Sequence, residues 1–221
     1  AALGYSAGAV TNGNDNTAIG FQAGIGTNGN QNIAMGYMAG AINAGSNNIL
    51  VGTMAGIQID PNDPNSAETT TANDVIAIGQ SSLANQDTAV AIGKDATAKA
   101  SVGDVALGAG SVTDLAVGTA SGAIAGITYN YAGTNPQSTV SVGAVGAERT
   151  VTNVAAGRVT ATSTDAVNGS QLAATNDAVE ELADNAVQYD DPGKTRVTPG
   201  GVASTDGGVT NGTKITNGAQ G

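Results

Sequence analysis

One pattern recurs four times at a spacing of sixteen within the first 56 residues. In register, Leu3-Gly4, Ile19-Gly20, Met35-Gly36 and Val51-Gly52 form one column, and Tyr5, Phe21, Tyr37 and Thr53 the next. Ala7, Ala23, Ala39 and Ala55 follow, then Gly8, Gly24, Gly40 and Gly56. Asn16, Asn32 and Asn48 stand three places after Gly13, Gly29 and Gly45. A fixed period with one apolar-Gly step per copy points to stacked units that contact only their neighbours. Sixteen residues are too few for a helical hairpin, and Gly and Asn are poor helix formers. Two brief strands joined by turns suit the period, with Gly and Asn taking positive φ at the corners. The expectation is a mainly β chain, a parallel β-roll or solenoid.

The pattern returns at Ile78-Gly79, Ile92-Gly93 and Leu107-Gly108, spaced 14 and 15 residues apart, and once more at Val142-Gly143. Leu3, Ile19, Met35, Val51, Ile78, Ile92, Leu107 and Val142 are therefore expected to face inward as the repeat core. Residues 1–110 form the repeat region, interrupted by an insertion at 57–74. Pro61 and Pro64 cannot donate to a ladder, so the insertion reads as a projecting loop. At about 4.8 Å per coil, seven coils make a rod of roughly 35 Å.

The composition restricts the chemistry. The chain has no Cys, His or Trp, one Phe, five Tyr, 33 Gly and a net charge of −11. Without Cys there are no disulfides or thiolate sites, and without His the commonest general base and metal ligand is gone. Ser and Asp are plentiful, but nothing here activates a nucleophile, so an enzyme is not expected and no cofactor is implied. No Lys or Arg precedes Lys94, which argues against nucleic acid and anionic surfaces as partners. No apolar run approaches the ~18 residues of a membrane helix, and no signal peptide is recognisable. So few large apolar residues cannot build a sizeable core in one coil, and burial shared between chains is the remedy.

Residues 111–140 lose the period and read as an irregular β insertion, and 141–164 as a last coil and a connecting neck. From 165 to 190 the spacing becomes helical, with Asn168, Leu172, Thr175, Val179, Leu182, Ala186 and Tyr189 as an a/d heptad seam. Ser163 or Thr164 is the expected N-cap, with Asp165 in the first turn. Gly169 would then cost about 1 kcal/mol inside the helix. Pro192-Gly193 ends it, and 191–221 return to a Val, Thr and Gly pattern expected to begin a further β segment. Between Val159 and Gly193 each chain carries seven acids and no base, so e/g ion pairs cannot support this coiled coil.

Two unbroken motifs precede the seam: Glu148-Arg149-Thr150-Val151-Thr152-Asn153-Val154-Ala155-Ala156-Gly157-Arg158, and Asp165-Ala166-Val167-Asn168-Gly169-Ser170-Gln171-Leu172. With the Ala-apolar-Gly coils ahead of them, they resemble the YadA-like head and neck of trimeric autotransporter adhesins. The resemblance covers about 1–110 and 141–190, and its neck residues are Arg149, Asn153, Gly157, Arg158, Asn168 and Gly169. It implies a homotrimer of left-handed parallel β-roll heads, a neck and a coiled-coil stalk on a Gram-negative outer membrane. It also implies a secretion signal and a membrane anchor outside these residues. The implied function is attachment to host cells or to matrix proteins of the collagen, fibronectin or laminin class.

The residues themselves fit three chains, since coils with starved cores can share one apolar axis and a heptad seam below sets the same number. Arg149 and Arg158, flanked by Glu148 and Asp165, read either as inter-chain ion pairs or as solvated charges worth about 0–1 kcal/mol. Asp60, Asn62 and Asp63 could ligate Ca²⁺ but lack a Glu, and an exposed turn is the plainer reading. Asn14-Asp15-Asn16 reads as a structural turn. Asn168 at the seam could set register or hold an axial anion. The Tyr5-Phe21-Tyr37 column could face a ligand or pack at an interface. A passive fibre spacer is the other function class. Only Thr11 and Thr27 align, so an ice-binding Thr column is absent.

Overall fold

A computed structural model describes residues 1–60 and 62–186, which fall into two compact units divided between Thr152 and Asn153. In the first unit the sixteen-residue copies place short strands at β1 (Ala2–Leu3), β2 (Thr17–Ile19), β3 (Ile33–Met35) and β4 (Ile49–Val51). A hairpin follows, β5 (Ile57–Asp60) with β6 (Asp63–Thr69). The coils resume with β7 (Ile76–Ile78), β8 (Leu83–Ala84), β9 (Val90–Ile92), β10 (Thr97–Ala98) and β11 (Val105–Leu107). A second hairpin, β12 (Ser121–Ile124) with β13 (Ile127–Asn130), precedes β14 (Val140–Ser141). One eight-stranded parallel sheet runs β1-β2-β3-β4-β7-β9-β11-β14, one strand per repeat step. A shorter parallel pair, β8 and β10, lies on another wall of the coils.

The register sets identical positions over one another: Ala18 pairs with Ala2 and Ala34, Leu50 with Ala34 and Ala77, and Ala91 with Ala77 and Ala106. Ala18, Ala34, Leu50, Ala77, Ala91 and Ala106 are the buried column, joined inside the coil by Ala23, Ala39, Ala55 and Val75. Because side chains alternate across a strand, the residues on either side of each alanine point out of the coil. This corrects the expected repeat core. Leu3, Ile19, Met35, Ile78, Ile92 and Leu107 are exposed in the single chain, and Val51 and Val142 are only partly covered. Ile78 is 39% exposed while Ala77 beside it is 0% exposed. The coil is too narrow for large side chains along this wall, so alanine goes in and the apolar bulk goes out.

The glycine of each apolar-Gly step is required by the close stacking. Gly20 has φ 131°, and a Cβ there would stand 2.5 Å from the Gly36 carbonyl oxygen. Other corners defy the expectation that Gly and Asn supply every positive φ. Val10 and Ile42 share the corner of Gly26 at φ 58° and 60°, held by the coil-to-coil bond from Ile42 N–H to Ile25 C=O at 2.7 Å. Such β-branched residues in this region are strained, and the ladder overrides their preference.

Polar ladders complete the interior. Asn16 Nδ2 donates to Gly29 C=O at 2.8 Å, and its Oδ1 accepts from Asn32 N–H at 2.9 Å. Asn32 repeats this on Gly45 C=O and Asn48 N–H, and Asn48 on Ala72 C=O and Val75 N–H. Each asparagine thus clamps its own coil to the next. Asp15 sits in the turn just before this ladder with φ 58°, so Asn14-Asp15-Asn16 is a coil corner.

The insertion at 57–74 is a hairpin rather than a loop. Thr70 N–H donates to Gly56 C=O at 2.8 Å, as Thr27 N–H does to Gly24 C=O at 3.3 Å. The corner that holds two residues between Gly24 and Thr27 has expanded to hold 57–69. Proline is tolerated because a two-stranded hairpin leaves edge positions that need no donor. The expected irregular insertion at 111–140 resolves similarly. Ser111 and Thr113 are buried in the coil wall, Val112 bridges to Thr97, and β12–β13 projects before β14 rejoins β11.

In the second unit α1 spans Gly169–Asn185. Its N-cap is Asn168, not Ser163 or Thr164, and a capping box with Gln171 explains the later start. Gly169 is the first helical residue, so the interior penalty does not apply. Tyr189 and the expected segment 191–221 lie outside the described residues.

Asn48→Ala should destabilise the first unit by about 2–4 kcal/mol, because it strands Ala72 C=O and Val75 N–H inside the protein. Urea unfolding followed by circular dichroism measures this, and a change below about 0.5 kcal/mol would show that the ladder bonds are replaceable.

Candidate functional site

The outer face of the long sheet is apolar from β3 to β11. β3, β4, β7, β9 and β11 contribute Ile33 and Met35, Ile49 and Val51, Ile76 and Ile78, Val90 and Ile92, Val105 and Leu107. None of these strands carries a charge. Beside the face, Tyr5, Phe21 and Tyr37 stack with ring centroids 5.3 and 5.4 Å apart, almost parallel. The column is thus packed against itself along the coils, with one side of each ring in solvent. A contiguous apolar surface of this extent marks an interaction face.

The β5–β6 hairpin is tied to later coils. Gln58 Nε2 donates to Thr97 Oγ1 at 2.9 Å, Lys99 Nζ pairs with Glu68 Oε2 at 2.6 Å, and Asn85 Nδ2 donates to Glu68 Oε1 at 3.2 Å. Partial burial pushes the Glu68 carboxyl up, but the bonds from Lys99 and Asn85 and the Lys99 charge outweigh it, so its pKa is lowered. Sequence reasoning missed this clamp, because the partners are 31 and 17 residues apart. The available signal was that Lys94 and Lys99 are the only cations before Arg149. Of the Asp60, Asn62 and Asp63 group, the Asp60 side chain and Pro61 lie outside the described residues.

The neck residues divide between the two units. Arg149 donates to Ser111 Oγ at 2.9 Å and to the carbonyls of Val142 and Ala109, closing the last coil. Glu148 accepts from Gly146 N–H at 2.9 Å, a backbone bond that, with one from its own N–H, lowers its carboxyl pKa. In the second unit Arg158 Nε and Nη2 donate to Asp165 at 2.7 and 3.0 Å. Within one chain, Arg158 thus pairs with Asp165, and Arg149 is held by the Ser111 hydroxyl and two carbonyls. Asn153 takes φ 60°. Gly157 exchanges two bonds with the Gln171 amide, at 2.9 and 2.7 Å, and a Cβ on it would meet Ala166 C=O at 2.2 Å. Asn168 donates to Val154 C=O at 3.0 Å and accepts from Gln171 N–H. Its amide thus joins the helix cap to the backbone at Val154.

Leu172, Val179 and Leu182 are exposed, as are Thr175 and Ala186, and no residue of α1 is buried. Asp177, Glu180, Glu181 and Asp184 crowd its C-terminal half, where the helix dipole disfavours negative charge. Among the described residues no three of His, Cys, Asp and Glu gather as a metal site, and no helix is long and apolar enough to cross a membrane.

The first unit is a β-solenoid, and the two motifs lead from its end into α1. Residues 150–194 match the family described as the coiled stalk of trimeric autotransporter adhesin. The autotransporter adhesin BtaE of Brucella suis is 56% identical over 82 residues, which are 37% of this chain and 11% of that protein. The C-terminal YadA-like domain of a Burkholderia pseudomallei protein is 51% identical, covering 50% of this chain and 56% of that one, at a TM-score of 0.45. Parts of the chain are thus similar to trimeric autotransporter adhesins. The chain spans about a tenth of the length of the Brucella adhesin.

Asp165 gives the neck a pH signature. The Arg158 guanidinium, then the Arg158 N–H, hold its carboxyl below the ordinary 3.8. A depressed folded pKa means the contribution is present above the unfolded value and is lost as pH falls through the folded one. Carbon-detected NMR titration should put the Asp165 midpoint below 3.8, returning toward it in Arg158→Gln. Equal midpoints in the two proteins would contradict the pair.

Proposed function

We propose that this chain is part of a homotrimeric adhesin that attaches a Gram-negative cell to host cells or to matrix proteins of the collagen, fibronectin or laminin class. The observation that carries the reading is the apolar outer face of the parallel sheet. Three copies turning that face to a common axis remove it from water, at about 25 cal/mol per Å². The exposed stripe of Leu172, Val179 and Leu182 asks for the same kind of partner. The acidic helix adds repulsion between chains, so the head supplies most of the association. In this reading the assembly is anchored in the outer membrane of that cell.

Sedimentation equilibrium at micromolar concentration should give about three times the 21.3 kDa chain mass. Ile92→Asp should return the protein to the single-chain mass while the coils keep their β signal, since Ile92 lies outside the buried alanine column. A wild-type protein at 21.3 kDa would sink the trimer. Binding of the trimer to immobilised collagen, fibronectin, laminin and whole cells, against a fragment starting at the neck, tests adhesion. Equal binding by both would leave the head a passive spacer.

A further inference from the structure

Between the β5–β6 hairpin and the coils lies a cavity of about 830 Å³. Its floor is one stacked column of corner residues, Met54, Ser81 and Asp95, all at positive φ, and its wall is Gln58, Ser66 and Glu68 of the hairpin. Ile59 and Lys99 complete the lining. The hairpin is fixed across the coils at Thr97, Lys99 and Asn85, so the cavity is held open by built contacts. Its volume falls within the roughly 300–1,000 Å³ of small-molecule sites.

The lining chooses among ligand classes. Among the described lining residues each carboxylate is matched by a lysine, Glu68 by Lys99 and Asp95 by Lys94. A chain of net charge −11 therefore presents a locally balanced surface here, which draws neither anions nor cations. Carboxylate oxygens accept, Lys99 and the Gln58 amide donate, and Ser66 and Ser81 can do both. Alternating donors and acceptors suit hydroxyl groups, which also do both. Met54 and Ile59 supply apolar patches for C–H faces. We propose that the cavity under the β5–β6 hairpin is a binding site for a neutral oligosaccharide of two or three sugar units. The proposal rests on the adhesin reading and names the ligand class for one part of the head.

The column itself provides the test. Met38 and Met54 occupy the same corner as Ser81, so Ser81→Met fills the cavity with a side chain the corner accepts. Gln22→Met makes a like change at the same corner before the insertion. Ile59→Trp fills the cavity from the hairpin side and serves if Ser81→Met melts early. Saturation-transfer NMR is run on the full chain with lactose, N-acetyllactosamine and mannobiose, with attachment to whole cells measured in parallel. At least one sugar should give a signal with wild type and Gln22→Met, weakened about tenfold (~1.4 kcal/mol) in Ser81→Met or Ile59→Trp. No signal from any sugar, or a signal the filled variants keep, overturns the site. If cells still attach in that case, the adhesin reading survives without this cavity. If sugars bind and cells do not attach, the site stands and the adhesin reading falls.

Discussion

An alanine at the centre of each sheet strand determines the rest of the molecule. Parallel stacking places every copy of a position directly over the last, so a narrow interior repeats along the stack. Ala18, Ala34, Ala77, Ala91 and Ala106 fill that space, with Leu50 as the one large exception in the row. Little apolar area is buried per coil, and the Asn16, Asn32 and Asn48 ladder carries much of the coil-to-coil specificity instead. Most of the large apolar side chains on the sheet strands are left outside, where only another surface can cover them.

The same constraint explains what the sequence made legible. The period, the coil spacing and the strand positions follow from the columns of Ile19, Met35 and Ile78, because stacking demands repetition. The inward and outward faces were read the wrong way round, since large apolar residues usually mark a core and an Ala-Ile-Gly step does not state its own phase. Gly20 and its equivalents hold the answer, as a side chain there would strike the coil below. The helix start was misread because Ser163, Thr164 and Asn168 are all competent caps. Gln171 decides it through a reciprocal pair of bonds with Asn168. The hairpin clamp was invisible, because Glu68 and Lys99 become neighbours only once the coils have stacked.

Variation in this fold is confined to corners. Two residues between Gly24 and Thr27, or the whole β5–β6 hairpin between Gly56 and Thr70, close through the same backbone bond. The ladder on either side continues undisturbed from β4 to β7. Corners can therefore acquire projecting elements without any change to the sheet face. In the proposed trimer this separates the surface that binds other copies from the surfaces that bind anything else. The neck follows a different logic, with Gly157, Gln171, Asn168, Arg158 and Asp165 knitting one chain to itself.

In the proposed trimer the apolar sheet face is covered by other copies of the chain. The absence of cysteine allows a direct measurement, because a single introduced thiol is the only one present. Ile78→Cys on the sheet face and Gln31→Cys at an exposed corner are labelled with a maleimide over a range of protein concentrations. Ile78→Cys should label slowly at micromolar concentration, its rate rising toward that of Gln31→Cys on dilution. Equal rates for the two at every concentration would mean the face stays open to water, and would contradict the trimer.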